Sequence, residues 1–99
     1  MVLWVDDIRI PPEIFGHSVF WAKSTNQAID LIMKYPNIAL IDIDHDAGDY
    51  AKLGGDYIRL LDWLEATGRN YPIRIHTMNP VGAANMRRVI QRNGWKEVF

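Results

Sequence analysis

The segment Ile38-Ala39-Leu40-Ile41-Asp42-Ile43-Asp44 is the most informative part of the chain for the fold. Its side chains are apolar on both faces of the strand until its carboxyl-terminal end. This is expected of a strand buried in the centre of a parallel sheet. Shorter apolar runs on either side of it, at residues 2–5, 18–22 and 73–78, predict three more strands. Residues 97–99 predict a short last strand, so the sheet is expected to have five.

Three amphipathic stretches separate the later strands. The first begins at Ser24, a preferred N-cap residue, and the third lies between Asn79-Pro80 and Asn93-Gly94. Residues 7–17 lack helical periodicity, so we expect a truncated first crossover. Strands that alternate with helices predict a single domain over residues 1–99. Its α/β fold would be a three-layer sandwich around a parallel sheet in the order 2-1-3-4-5.

Composition excludes several classes of protein. The chain has 99 residues, of which 48% are hydrophobic, and no cysteine, so disulfide scaffolds and thiol nucleophiles are excluded. No apolar run approaches the roughly 20 residues of a membrane span. No signal-type segment opens the sequence, so we expect a cytoplasmic domain without membrane contact. The net charge of −1 does not favour bulk binding of nucleic acid, and the oligomeric state is left open.

The charges are divided unevenly along the chain. Residues 1–56 hold nine acidic and four basic side chains, a net of −5, whereas residues 57–99 hold three acidic and seven basic ones, a net of +4. In so small a domain this division suggests a site with a metal on one side and an anion on the other.

Acidic and imidazole side chains collect where the predicted strands end. Asp6-Asp7 follows the first strand, residues 42–46 (Asp-Ile-Asp-His-Asp) close the third, and residues 76–79 (His-Thr-Met-Asn) close the fourth. In an open parallel sheet, ligands bind outside the carboxyl ends of the strands, where the strand order reverses. We therefore expect these three motifs to converge in one crevice.

Carboxylates gathered in one crevice repel one another. Two unit charges about 4 Å apart cost roughly 4 kcal/mol at an effective dielectric constant of 20. A divalent cation relieves this repulsion, and oxygen ligands favour Mg²⁺ or Mn²⁺, with Ca²⁺ also compatible. Because His45 and His76 lie in the same motifs, Zn²⁺ or Fe²⁺ is also compatible. Asp42 lies deeper in its strand and is left open as a structural acid or a site residue.

The start of the third helix, residues 79–83, is a candidate phosphate site. Free N–H groups at a helix N-terminus bind anions, and Gly82 would let a phosphate approach the backbone. The alternative interpretation is that small residues here only permit close packing.

Taken together, these motifs resemble the receiver domain of two-component signalling. They resemble more closely the cyclic-phosphate-processing receiver-like family, through Trp4–Arg9, Asp44–Gly48 and His76–Pro80 with Met86 following. The resemblance covers nearly the whole chain and implies a single receiver-like domain over residues 1–99 with a flavodoxin-like sheet. It implies a metal-dependent phosphoesterase that acts on cyclic phosphate groups, for example at RNA ends. The expected partner is therefore a phosphate-containing small molecule or a nucleic-acid end.

The resemblance also implies roles for single residues. It assigns metal binding to four acids, Asp6, Asp7, Asp44 and Asp46. His45 and His76 would be catalytic acid–base groups or ligands. Asn79, and Thr77 as the strand-four hydroxyl of a receiver, would contact the phosphate together with Gly82.

The chain departs from the receiver pattern in two respects. A receiver carries a lysine at the end of its fifth strand, whereas Lys96 precedes that strand here, and the first helix is missing or very short. These departures favour the phosphoesterase over signalling. The alternative is a non-catalytic receiver-like module for signalling or protein interaction. Alternation along an extended strand predicts that His45 points away from Asp44 and Asp46, unless the chain has already left the strand there. His45 is therefore expected to be the more structural of the two histidines, and His76 is left open as an acid–base group or a ligand.

Overall fold

The computed structural model describes residues 1–13 and 16–99. Its elements, in chain order, are β1 (Val2–Val5), β2 (Val19–Ala22), α1 (Thr25–Lys34), β3 (Leu40–Ile43), a 3₁₀ helix (Gly48–Lys52), α2 (Ile58–Ala66), β4 (Ile73–Ile75), α3 (Pro80–Asn93) and β5 (Glu97–Val98). All strand pairs are parallel, in the order β2-β1-β3-β4-β5. The predicted α/β fold and strand order are confirmed.

Helices α1 and α3 begin at the predicted caps. Ser24 caps α1 by accepting a hydrogen bond from the N–H of Gln27, and Asn79 caps α3 by accepting one from the N–H of Gly82. Gly94 ends α3 in the left-handed conformation, with φ of 66°. Strands β3 and β4 are shorter than the apolar runs that predicted them. They end at Ile43 and Ile75, so the polar motifs that follow lie in loops rather than in extended chain.

The two faces of the sheet are covered differently. The first face buries aliphatic side chains against all three helices, among them Leu3, Ile41 and Ile73 of the strands. The register places other residues on the second face. One row across this face consists of Trp21, Trp4, Asp42 and Arg74. Val2 and Leu40 form another row, nearer the amino ends of the strands. Right-handed crossovers bring α1, α2 and α3 to the first face, because each of these connections steps in the same direction along the sheet.

The connection between β1 and β2 steps in the opposite direction and so crosses the second face. Its described residues, 6–13 and 16–18, contain no helix, in agreement with the predicted truncated crossover. Among the described residues, no helix is long and apolar enough to cross a membrane. Ile14 and Phe15, which belong to the loop predicted from residue 7 to residue 17, lie outside the described residues.

Candidate metal centre

The carboxyl ends of β1, β3 and β4 are aligned in one crevice. The backbone N–H of Asp44 donates to the carbonyl of Val5 over 2.9 Å, and the N–H of His76 donates to the carbonyl of Ile43 over 2.9 Å. These bonds continue the parallel ladder one residue beyond the strands. The polar residues that follow each strand are therefore brought to the same level, as the sequence predicted.

Asp6, Asp7 and Asp44 form the centre of this crevice. Each offers one carboxylate oxygen, and these oxygens lie within 4.8 Å of one another. Asp6 and Asp44 are buried, whereas Asp7 is half-buried. Burial raises the pKa of Asp7, and the negative charges of Asp6 and Asp44 raise it further. The structure thus holds three acids together without enough positive charge to balance them.

Hydrogen bonds determine which oxygens of these acids remain available. Asp6 Oδ1 accepts from the N–H groups of Ile8 and Arg9, at 3.0 and 2.9 Å, which occupies both of its lone pairs. Asp6 Oδ2 lies 2.9 Å from His76 Nε2. Asp44 Oδ1 accepts the N–H of His45 over 2.7 Å. Asp6 can therefore offer a cation only one lone pair of Oδ2, and Asp44 is left with Oδ2 free.

The pKa of Asp6 differs in direction from that of Asp7. Burial would raise the pKa of Asp6, but the hydrogen bonds from Arg9, Ile8 and His76 outweigh it and lower the pKa below its ordinary value. Asp6 is accordingly a stable carboxylate, whereas ionisation of Asp7 is disfavoured in the absence of a cation.

Gly48 allows Asp7 to occupy this position. It adopts a φ of 54°, in the left-handed region, and a Cβ at this position would collide with Asp7 Oδ2. Any other residue would push the carboxylate aside. The glycine at the start of the 3₁₀ helix is therefore part of how the site is shaped.

His76 is held between two buried carboxylates. Its Nδ1 lies 2.6 Å from Asp42 Oδ1 and its Nε2 lies 2.9 Å from Asp6 Oδ2. The ring stacks on Trp4, with centroids 3.9 Å apart and planes at 5°. Burial lowers the pKa of His76, but the hydrogen bonds and charges of Asp42 and Asp6 raise it more, so the net shift is upward. Both ring nitrogens are thereby committed to protein groups.

The loop that follows β1 is anchored to this histidine. Arg9 donates from a guanidinium nitrogen to the carbonyl of His76 over 2.9 Å, and Trp4 Nε1 donates to the carbonyl of Arg9 over 2.9 Å. The indole N–H of Trp21 donates to the carbonyl of Asp6 over 2.7 Å. The backbone around Asp6 is fixed by these contacts from both sides.

A second group contains His45, Asp46 and Asp56, whose candidate ligand atoms also lie within 4.8 Å of one another. Asp46 therefore stands apart from Asp6, Asp7 and Asp44, and the four predicted metal ligands divide between two groups. The prediction that His45 points away from Asp46 is wrong. The chain leaves the strand after Ile43, and His45 Nδ1 lies 2.9 Å from Asp46 Oδ1.

The start of α3 closes this side of the crevice. The Asn79 amide nitrogen lies 3.4 Å from both oxygens of Asp46, while its Oδ1 accepts the N–H of Gly82. The Thr77 hydroxyl accepts the N–H of Asn79 over 3.2 Å. A Cβ on Gly82 would overlap the His45 ring. Packing against His45 thus explains this glycine, and its N–H is already used by the cap.

The family of the chain follows from its sequence as a whole. A family model, the cyclic-phosphate processing Receiver domain, matches residues 1–92. The chain belongs to the cyclic-phosphate processing receiver domain family. No curated protein and no solved structure matches it. It is thus a receiver-like domain associated with cyclic-phosphate processing, in agreement with the resemblance seen in its motifs.

The sequence analysis of this receiver domain did not single out Asp56, and it noted Lys96 only as a residue that precedes the last strand. Asp56 joins the second group after the Gly54-Gly55 turn, where its Oδ1 accepts the N–H of Ala47 over 3.0 Å. Its only sequence signal is an acid just after a glycine pair. Lys96 lines a hollow together with Val2 and Pro72, at the amino ends of the strands, so it lies far from the crevice.

Proposed function

We propose that this receiver domain is a metal-dependent phosphoesterase that acts on cyclic phosphate groups. The observation that carries the proposal is the group of Asp6, Asp7 and Asp44, whose oxygens converge within 4.8 Å. The unbalanced charge of this group, seen in the raised pKa of Asp7, fits a site that a divalent cation completes. The family supports the choice of cyclic phosphate as the reacting group.

The donor set favours Mg²⁺ or Mn²⁺. Every available ligand atom in the group is a carboxylate oxygen, and hard cations prefer oxygen. Zn²⁺ and Fe²⁺ prefer sites that include nitrogen. The nearest imidazole, His76, has both ring nitrogens engaged by Asp42 and Asp6. Three carboxylates would leave the remaining coordination positions to water and to the phosphate of the substrate.

A bound divalent cation would polarise a phosphoryl oxygen and lower the pKa of a water molecule beside it. Asp6, Asp7 and Asp44 would hold that cation through one oxygen each. The phosphate would then lie at the mouth of the crevice, within reach of the side chains of Thr77 and Asn79 at the start of α3. The substrate is a phosphate-containing small molecule or a nucleic-acid end.

We assign the transfer of protons to His45. Its Nδ1 faces Asp46 Oδ1 at 2.9 Å, and Nε2 makes no hydrogen bond among the described residues. An imidazole that a carboxylate orients through one nitrogen can exchange a proton at the other, and imidazole changes charge near neutral pH. Gly82 lets the ring lie against α3, which fixes its plane.

We assign a positioning role to His76. A histidine with both nitrogens bonded to buried carboxylates has no free lone pair or proton to offer a substrate. It holds Asp6 Oδ2 in place, and Asp42 and Trp4 hold His76. Partners of this kind orient a metal ligand and commonly affect metal affinity 10–100-fold.

The test is hydrolysis of a 2′,3′-cyclic nucleotide, measured with Mn²⁺, with Mg²⁺ and with a chelator. We expect turnover that needs the metal and that Asp44→Asn abolishes. Asp62→Asn is the matched control, because Asp62 is an exposed acid of α2 away from the crevice. Metal affinity is measured in parallel by Mn²⁺ titration.

The outcomes separate this function from the alternative module. Metal binding without turnover of any cyclic phosphate would contradict the esterase and leave a non-catalytic receiver-like domain. A stable adduct on Asp44 after incubation with acetyl phosphate or beryllofluoride would return the domain to phosphoryl signalling. We expect no such adduct, because Lys96 lies at the opposite end of the sheet.

A further inference from the structure

Among residues 1–13 and 16–99, no helix covers the second face of the sheet in the way that α1, α2 and α3 cover the first. None of its strand residues belongs to the main core cluster, although Val2 and Trp4 are buried. Parallel sheets are found almost only with both faces covered, because their strands are apolar on both sides. Here the connection between β1 and β2 covers part of the face, where Trp4 bonds to Arg9 and Trp21 bonds to Asp6.

The part of the second face near the amino ends of the strands holds an apolar hollow of about 240 Å³. Val2, Leu40, Pro72 and Val98 line it, and these residues come from β1, from β3, from the segment before β4 and from β5. The hollow therefore runs across the sheet rather than along one strand. It lies at the amino ends of the strands, so it is separate from the candidate metal centre.

Two basic side chains lie on the same face as this hollow. Lys96 lines it and is exposed, and Arg74, which shares the register row of Val98, is also exposed on the same face. The acid in that row, Asp42, is buried and bonded to His76, so it does not balance them. Of the described residues that line the hollow, Lys96 carries a positive charge and none is acidic.

We propose that the second face binds an amphipathic helix of another protein, with an aliphatic stripe in the hollow and acidic residues toward Arg74 and Lys96. Helices are the elements that cover parallel sheets, and α1 and α2, which cover the first face, have 10 and 9 residues. A partner helix of similar length would span the strands. A second copy of this chain fits less well, because it would bring the same basic side chains against each other.

The experiment uses two stapled helical peptides with the same leucine stripe, one flanked by glutamates and one by lysines. The backbone amide signals of the ¹⁵N-labelled protein report where each peptide binds. We expect the glutamate peptide to shift the amides of Val2, Leu40 and Val98 and to bind at least roughly tenfold more tightly than the lysine peptide. Sedimentation at increasing protein concentration tests for self-association.

Variants define the surface. The double variant Arg74→Glu, Lys96→Glu is expected to weaken the glutamate peptide roughly tenfold, since each exposed pair contributes modestly. Arg88→Glu is the matched control, because Arg88 is exposed on α3 at the other face. The proposal is overturned by equal binding of both peptides, by binding elsewhere or by no binding at all. It is equally overturned by a dimer that buries this face, or by a single-stranded oligonucleotide that shifts these amides in place of the peptide.

Discussion

The two histidines of the crevice occupy contrasting environments. His76 lies between Asp42 and Asp6, stacked on Trp4, and both of its nitrogens are engaged. His45 contacts a single carboxylate, Asp46, through one nitrogen and rests on the start of α3. The first arrangement immobilises a ring and the acid beside it, whereas the second orients a ring and leaves one nitrogen available.

This contrast shows why residue type alone does not determine a role. Both histidines follow strands of the sheet, and both are hydrogen-bonded to carboxylates. They differ in how many carboxylates are hydrogen-bonded to the ring. Two carboxylates hold the charge of His76 in place as part of the scaffold, and one carboxylate leaves His45 free to exchange a proton.

Replacing His45 gives the largest expected effect. His45→Ala should lower turnover of a cyclic phosphate by about 10²–10⁴, the usual contribution of general acid–base catalysis. Affinity for Mn²⁺ should change little, because Asp6, Asp7 and Asp44 still hold the ion. Rates at saturating metal, together with a Mn²⁺ titration, separate the two effects. If His45→Ala retains full turnover, the contrast between the histidines fails.

Replacing His76 should give the opposite pattern. His76→Gln is expected to weaken Mn²⁺ binding by about 10–100-fold, because Asp6 loses the group that orients it. Turnover at saturating metal should recover most of its native value. Circular dichroism confirms that the variant is folded. A variant with native metal affinity and little turnover would instead make His76 the acid–base group.

The support of His45 can be tested at Gly82. In an ordinary helix position Gly→Ala stabilises by about 1 kcal/mol. Here the added Cβ would overlap the His45 ring, so Gly82→Ala should destabilise the protein by about 1–3 kcal/mol. Urea unfolding measures the difference. Ala84→Gly, at an exposed position of the same helix, serves as the control for helix propensity. Stabilisation by Gly82→Ala would show that the ring is not held against α3.

The smallest expected effect is the change of protein stability with pH that the charge of His76 causes. In the metal-free protein its pKa is raised above the ordinary value of about 6.5. Its contribution to stability is therefore fully present below about pH 6.5 and is lost as the pH rises through the folded-state pKa. Proton NMR of the ring, followed against pH, gives that pKa directly. A midpoint at or below 6.5 would mean that Asp42 and Asp6 do not hold the imidazolium.

Sequence patterns predicted the sheet because strand burial and helix caps are local signals. The apolar run at residues 38–44, the cap at Ser24 and the cap at Asn79 each depend on a few neighbouring residues. The convergence of Asp6, Asp7 and Asp44 was also predictable, since parallel strands end at one edge.

The details of the site depend on the residue at which each strand ends, and the sequence pattern does not determine that residue. Strand alternation was applied to His45, but the chain leaves β3 at Ile43 and the ring swings to Asp46. The bond between His76 and Asp42 joins residues 34 positions apart. Asp56 reaches its group through the loop that contains the 3₁₀ helix, which has no strong periodic signal.

Thermal unfolding with and without a divalent cation tests the central claim most directly. A ligand that binds only the folded state stabilises it by about 2.7 kcal/mol at a hundredfold excess over Kd. Millimolar Mn²⁺ or Mg²⁺ should therefore raise the Tm of the native protein and of Asp62→Asn. Asp44→Asn should lose most of this response, and its metal-free Tm should rise because repulsion from Asp6 and Asp7 is relieved. A Tm of the native protein that neither cation moves would contradict the metal centre.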